Sequence, residues 1–427
     1  MKVDRLLAGA SALGLIAAAP APQQKVTGPV ANYWASVDTT SGSGIGAMGG
    51  QNGGGRPSMG EMMRMMRGGS TVNHGLTLQL GSTHAATGGD PNANHLPGTG
   101  QPLPLLTPKA VPAQPTPEET VEEQPTMPQR PKGKLLLYWG CGEHAGPNQP
   151  VVIDFAKVVD SGQMPRLPFV AVHHQNPPSA GRYTTYGEWP NSKSRLQPPA
   201  SLVGDHVVKG NYSPDIHFNL PANKDYMPPL TIDAQEKTPA GATKLVWQQI
   251  ANATGYFATM FGASPNSGDD VSVVMWSSSG ISTFAGGGLL DYLAPAEVRR
   301  LIGQKVVMPP SQTQCIIPIE VTQAAKFGML SMIAYGDEAN FVDPPRPADP
   351  KIPWNINWTA KVRYKSTAGT MLGMPGGMGG GGMAGMGAPP ANDGDGAGST
   401  TTSPPPPKKK SGGLLGRLKD LGDAVPH

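Results

Sequence analysis

Period-two alternation of apolar and polar side chains, the spacing that buries one face of a strand, recurs along the middle of this chain. Leu76, Leu78 and Leu80 alternate with Thr77 and Gln79. Residues 135–139 form a short apolar run that stops at Gly140-Cys141-Gly142, and residues 151–155 and 169–172 repeat that design. Residues 206–209 and 216–220 read as two more strands, with turn-forming residues between the runs. Together these segments predict a first β-rich domain over residues 71–225.

A second β-rich domain is predicted over residues 228–366. Its strands are expected at 230–232, 244–247, 253–260, 271–276, 315–321, 327–335 and 356–364, the last alternating Ile356, Trp358, Ala360, Val362 and Tyr364. Leu245 and Trp247 point to one face of their strand, as do Tyr256, Ala258 and Met260 of the next, and two such faces close over one another as a sandwich. Trp247 and Tyr256 are therefore expected to share its core. Residues 291–303 break the pattern: Leu293, Val298, Leu301 and Ile302 share a helical face, Pro295 suits a first turn, and Gly303 suits the end. The expected fold class is mainly β, with two β-sandwich-like domains, the second carrying a short helical insertion, between disordered Gly/Met/Pro-rich tails.

The string Leu245-Val246-Trp247, a short turn, and Gly255-Tyr256 resembles the fibronectin type III module and its immunoglobulin-like relatives. That resemblance covers residues 228–366 and implies a two-sheet sandwich without a fixed activity. The helix at 291–303 departs from it. The whole chain also resembles exported bacterial proteins, a likeness that carries no activity with it. Residues 136–142 and 273–280, both apolar runs ending in Trp and small residues, echo one another either by duplication or by chance.

Composition changes the picture mainly at the ends. Glycine (57) and proline (47) crowd residues 41–70, 86–131 and 369–413, which predicts a flexible Gly/Met-rich segment at 20–70, a Pro-rich linker at 97–131 within the first domain, and a disordered tail at 367–427. In that tail Leu414, Leu418, Leu421 and Val425 have the spacing of a short amphipathic helix suited to weak membrane contact. At the other end, Lys2 and Arg5 precede an uncharged apolar run that reads as a signal peptide over residues 1–19. That run is too short to span a bilayer and no other is longer, so no integral membrane protein is expected. A formal net charge of +3 with 15% charged residues gives no basic field for nucleic acid. Two cysteines exclude a disulfide-dense scaffold and a four-thiolate zinc site. Cys141 and Cys315 are expected as two separate buried thiols, with a bridge between them as the alternative.

Catalytic chemistry leaves little trace. Residues 276–280 lack the first glycine of a serine-hydrolase elbow, which leaves Ser278 a turn residue. Cys141-Gly142-Glu143-His144 places a thiol, a carboxylate and an imidazole within four residues, as a structural turn or as a reactive site. His173 and His174 are adjacent and would point to opposite faces of a strand, which defeats chelation, whereas His206 and His217 are candidates to meet in space. Met59, Met62, Met63, Met65 and Met66 offer soft thioether ligands for Cu(I). Tyr183, Tyr186 and Trp189, in an irregular polar loop at 177–200, are the candidate binding residues for a sugar or a protein. The expected function is binding or scaffolding in the periplasm or outside the cell, with an envelope protein or glycan as partner, no cofactor and no catalysis. Copper handling, or a hydrolase site assembled from distant residues, stands as the alternative.

Overall fold

The computed structural model describes residues 24–42, 72–108, 133–161, 170–191, 196–234, 236–265, 271–283, 288–325 and 327–373. The expected signal peptide, the methionine block at 59–66, linker residues 109–131 and the C-terminal amphipathic segment lie outside them. The described chain is mainly β. Its first strands are β1 (Val26–Thr27), β2 (Ala31–Gly42), β3 (Asn73–Ser82), β4 (Ala93–Leu96), β5 (Leu103–Leu105), β6 (Lys134–Trp139) and β7 (Val151–Asp154), followed by helix α1 (Phe155–Ser161). Then come β8 (Thr185–Trp189), β9 (Gly204–Gly210), β10 (Ile216–Leu220), β11 (Ile232–Asp233), β12 (Thr243–Trp247), β13 (Gly255–Pro265) and β14 (Val271–Ser277). Helix α2 (Pro295–Gly303), β15 (Gln314–Ile317), helix α3 (Ile319–Ala324), β16 (Phe327–Asp343), β17 (Trp354–Asn355) and β18 (Trp358–Leu372) complete the order.

One nine-stranded sheet, in the order β7-β6-β14-β13-β16-β18-β2-β3-β8, runs through the whole body. A three-stranded sheet (β11-β12-β15) and a four-stranded sheet (β10-β9-β4-β5) pack side by side on one of its faces. The alternation explains this. Tyr33, Val37, Leu76, Leu78, Leu80, Tyr256, Met260, Leu330, Val362 and Tyr364 all point to that face and form one continuous core with Leu245, Trp247 and Ile317 of the smaller sheet and Leu105, Val208, Ile216 and Leu220 of the larger. The opposite face is divided. Over β6, β14, β13 and β16 it is apolar, with Leu137, Met275, Phe257 and Ile333 covered by Val298 and Leu301 of α2. Over β18, β2, β3 and β8 it is polar.

Several expectations change at this point. Residues 31–42, placed in a flexible segment by their glycine-rich neighbourhood, form β2, mostly buried and flanked by β18 and β3. Ala31, Tyr33, Ala35 and Val37 do alternate, but two alanines give the pattern little apolar weight. Because β2 joins β18, the sheet runs across the expected domain boundary at 225–228, and the two predicted domains share one sheet and one core. β5 forms inside the expected linker, and β18 extends past 366 to Leu372. The strand expected at 315–321 stops at Ile317, because Pro318 ends the ladder and caps α3. Residues 170–172 carry no strand. The expected helix at 291–303 is α2, with Pro295 at its start. Phe155 opens α1 instead of ending a strand, since the Asp154 carboxylate caps the amides of Ala156 and Lys157.

The two echoing segments lie side by side. β6 pairs with β14 in parallel, Tyr138 opposite Trp276, and the Trp276 indole N–H donates to Gly140 O at 2.9 Å.

Candidate functional site

The polar half of the nine-stranded sheet holds the chemistry that the apolar pattern leaves over. On β18 the residues between Trp358, Ala360, Val362 and Tyr364 are Thr359, Lys361, Arg363 and Lys365, opposite Asn32, Trp34, Ser36 and Asp38 of β2. Strand register alone therefore places three cations in a row against an aromatic ring, two hydrogen-bonding side chains and one acid.

Trp34 lies between two of the cations: Lys361 Nζ is 5.0 Å and the Arg363 guanidinium 5.1 Å from its ring centre. Tyr292, from the segment that leads into α2, covers the next pair, 4.3 Å from Arg363 and 4.4 Å from Lys365. Lys361 is neutralised by Glu338 at 3.1 Å. Arg363 is 7% exposed and Lys365 4% exposed. Burial pulls the pKa of each below its ordinary value, with Tyr292 and Asp291 opposing that shift at Arg363 and Asp38 and Asp291 opposing it at Lys365. The Asp38 carboxylate lies against β3, where a Cβ on Gly75 would meet its oxygen at 2.3 Å, so a larger residue there would have to displace the carboxylate. Burial raises the Asp38 pKa, opposed by Lys365 and by hydrogen bonds from Thr40 and Tyr292.

The three aromatics singled out from the sequence divide between the two faces. Tyr183 is part-exposed; its ring lies over Gly81 and its hydroxyl accepts from Asn32 Nδ2 at 3.1 Å. Tyr186 is buried on the polar face, its hydroxyl donating to Glu188 at 2.7 Å and accepting from Gln79 at 3.1 Å. Trp189, two residues from Gly187 on the other face, is a core residue at 1% exposure. An exposed aromatic patch at 183–189 is therefore not what the chain builds. The loop expected at 177–200 contains β8, whose alternation sends Trp189 inward.

The cysteine cluster is structural. Cys141 and Cys315 form a disulfide with Cα atoms 5.1 Å apart, which corrects the expectation of two separate thiols. They looked remote because they fall in segments read as different domains, whereas the two sheets that carry them face one another. His144 Nδ1 pairs with Glu320 at 2.9 Å and the Ala145 amide donates to the same carboxylate at 2.8 Å, so the imidazole orients a loop on α3. Ser278 is buried and its Oγ accepts from the Ala258 amide at 2.9 Å, a turn role. His173 pairs with Glu297, whose carboxyl Arg300 and His173 hold down at about 2. His206 meets His95 and not His217, which is exposed. The cavity beside those two histidines measures about 10 Å³, room for one water at most. Among the described residues no three His, Cys, Asp or Glu side chains are grouped to hold a metal, and no helix is long and apolar enough to cross a membrane.

No protein-family model, curated protein or solved structure matches this chain.

Proposed function

We propose that this is an exported protein of the cell envelope, periplasmic or extracellular, that binds or scaffolds and carries out no catalysis. The observation that supports it most is the Cys141–Cys315 disulfide. It fits an oxidising compartment, where such bonds persist, and it leaves no thiol among the described residues to act as a nucleophile. The rest of the reading follows from how the polar groups are used. Ser278 and His144 each serve a local backbone or loop contact, which leaves neither of them for catalysis.

We also infer an immunoglobulin-like module over residues 228–366. Supporting it, β11, β12 and β15 make one sheet and β14, β13, β16 and β18 lie consecutively in the sheet that faces it, with Leu245 and Trp247 meeting Tyr256, Ala258 and Met260 across the gap. Such a two-sheet arrangement is the architecture of that class. α2, inserted between β14 and β15, is the departure that the sequence already marks.

Fractionation of cells expressing the tagged full chain tests the compartment. Recovery with periplasmic or extracellular markers is expected. Recovery with cytosolic markers would overturn the reading.

A further inference from the structure

Arg363 and Lys365 on β18 have hydrogen-bonding capacity that no described residue uses. Ser36 accepts from Arg363 Nε at 2.7 Å, but Nη1 is buried and has no partner among the described residues. Lys365 Nζ finds no acceptor and no carboxylate within 4 Å among the described residues. Of the nearby acids, Glu338 pairs with Lys361, Asp38 accepts from Thr40 at 3.3 Å and from Tyr292 at 3.5 Å, and Asp291 accepts from the Tyr292 amide at 2.7 Å. Burying a guanidinium with a donor unfilled is unfavourable, and ring faces compensate only in part. Both cations stand on one face, two residues apart and under one tyrosine, which aims their donors into a common region.

We propose that Arg363 and Lys365 bind a small oxyanion group, a carboxylate or a phosphate, between Trp34 and Tyr292. Arg363 Nη1 and Lys365 Nζ donate to its oxygens, and Trp34 and Tyr292 wall the site. Arginine beside an ammonium is the donor set that both oxyanions favour, the planar fork adding direction to the point charge. Tyr292 now lies over both cations, so occupancy moves its ring and changes the surroundings of Trp34. The proposal deepens the binding reading by naming a ligand chemistry. Its test uses purified protein, so it succeeds or fails independently of where the chain resides.

The experiment titrates the purified full chain with sodium phosphate and, separately, sodium acetate, at constant ionic strength balanced with sodium chloride. Tryptophan fluorescence is the readout, and Trp34→Phe assigns the signal. A saturable change with either anion, lost in Trp34→Phe, is expected. Saturation by acetate alone identifies a carboxylate site, and saturation by phosphate identifies a phosphate site. Arg363→Gln should weaken binding about tenfold or more, the scale of a lost charged hydrogen bond, and Lys365→Met should weaken it in the same direction, which keeps the test alive if one variant does not fold. Lys209→Gln, which removes an exposed ammonium on β9 paired with Asp215 at 3.5 Å, should leave it unchanged. A signal linear in both anions, or saturation equally strong in Arg363→Gln and Lys365→Met, would overturn the site.

Discussion

His95 and His206 share a hydrogen bond of 3.1 Å between Nε2 and Nδ1 inside the core, and the groups on either side fix which nitrogen carries each proton. His206 Nε2 lies 2.6 Å from Leu202 O, which only accepts, so Nε2 holds the proton and Nδ1 accepts. His95 must then donate from Nε2, which leaves its Nδ1 to accept from the Tyr33 hydroxyl at 2.8 Å. The chain Tyr33, His95, His206, Leu202 links β2 to β4, β9 and the loop before β9 with both imidazoles neutral. Burial pushes His95 down to about 3 and lowers His206 as well, with the neighbouring imidazole a second cause at His95.

That relay predicts acid sensitivity. In the unfolded chain both imidazoles titrate near 6.5, so on acidification the unfolded state takes up protons first and the equilibrium moves toward unfolding. Stability present above about pH 6.5 is expected to be lost progressively below it, by up to about 1.4 kcal/mol per pH unit per histidine. Urea unfolding between pH 7 and 5, a window above most carboxylate titration, measures this. His95→Gln should flatten the slope. A wild-type stability constant across that window would show that the imidazoles are not held neutral.

A second prediction concerns β2. This strand is the shared neighbour of β18 and β3 and supplies Tyr33, Ala35 and Val37 to the core. Deleting residues 24–42 is expected to abolish cooperative thermal unfolding, because β3 and β8 then lose their connection to the rest of the sheet. A deletion variant that melts cooperatively within a few degrees of the intact chain would contradict the placement.

Trp247 and Tyr256 face one another across the two sheets, ring centres 5.5 Å apart, with Trp247 3% exposed. Trp247→Ala is expected to cost about 3–5 kcal/mol. Tyr256→Phe should cost about 1 kcal/mol, since its hydroxyl accepts from the Ile250 amide at 2.9 Å. Denaturant unfolding of both variants checks the pair, and a Trp247→Ala protein as stable as wild type would place that ring outside the core.

How much of this was legible in the sequence depended on the strength of local signals. β12, β13 and β18 alternate large apolar side chains, and α2 has its proline and its apolar stripe, so each could be read where it stands. β2 was missed because alanine fills two of its inward positions and a glycine-rich segment follows. Trp189 was misplaced because β8 is five residues long inside a polar loop, and only its register against β3 shows which way it points. Lys361, Arg363 and Lys365 were present as the polar half of an alternation noticed for its apolar half. Their meeting with Trp34 and Tyr292 depends on long-range parallel pairing and on a segment about 70 residues away, which local periodicity does not carry. The same holds for the disulfide, whose cysteines are 174 residues apart.

The disulfide bears most directly on the central claim, because it both supports export and removes the thiol from chemistry. It ties the loop after β6 to β15 and so joins the nine-stranded sheet to the three-stranded one. Over a loop of that length the chain-entropy account gives about 5 kcal/mol of stabilisation. The decisive measurement is the thiol state in cells: protein quenched in acid at harvest, unfolded, alkylated with and without prior reduction, and weighed intact. The account predicts no label without reductant and two labels with it. Two labels without reductant would mean that Cys141 and Cys315 are free thiols in the cell, and would contradict both the bridge and the exported, non-catalytic reading built on it.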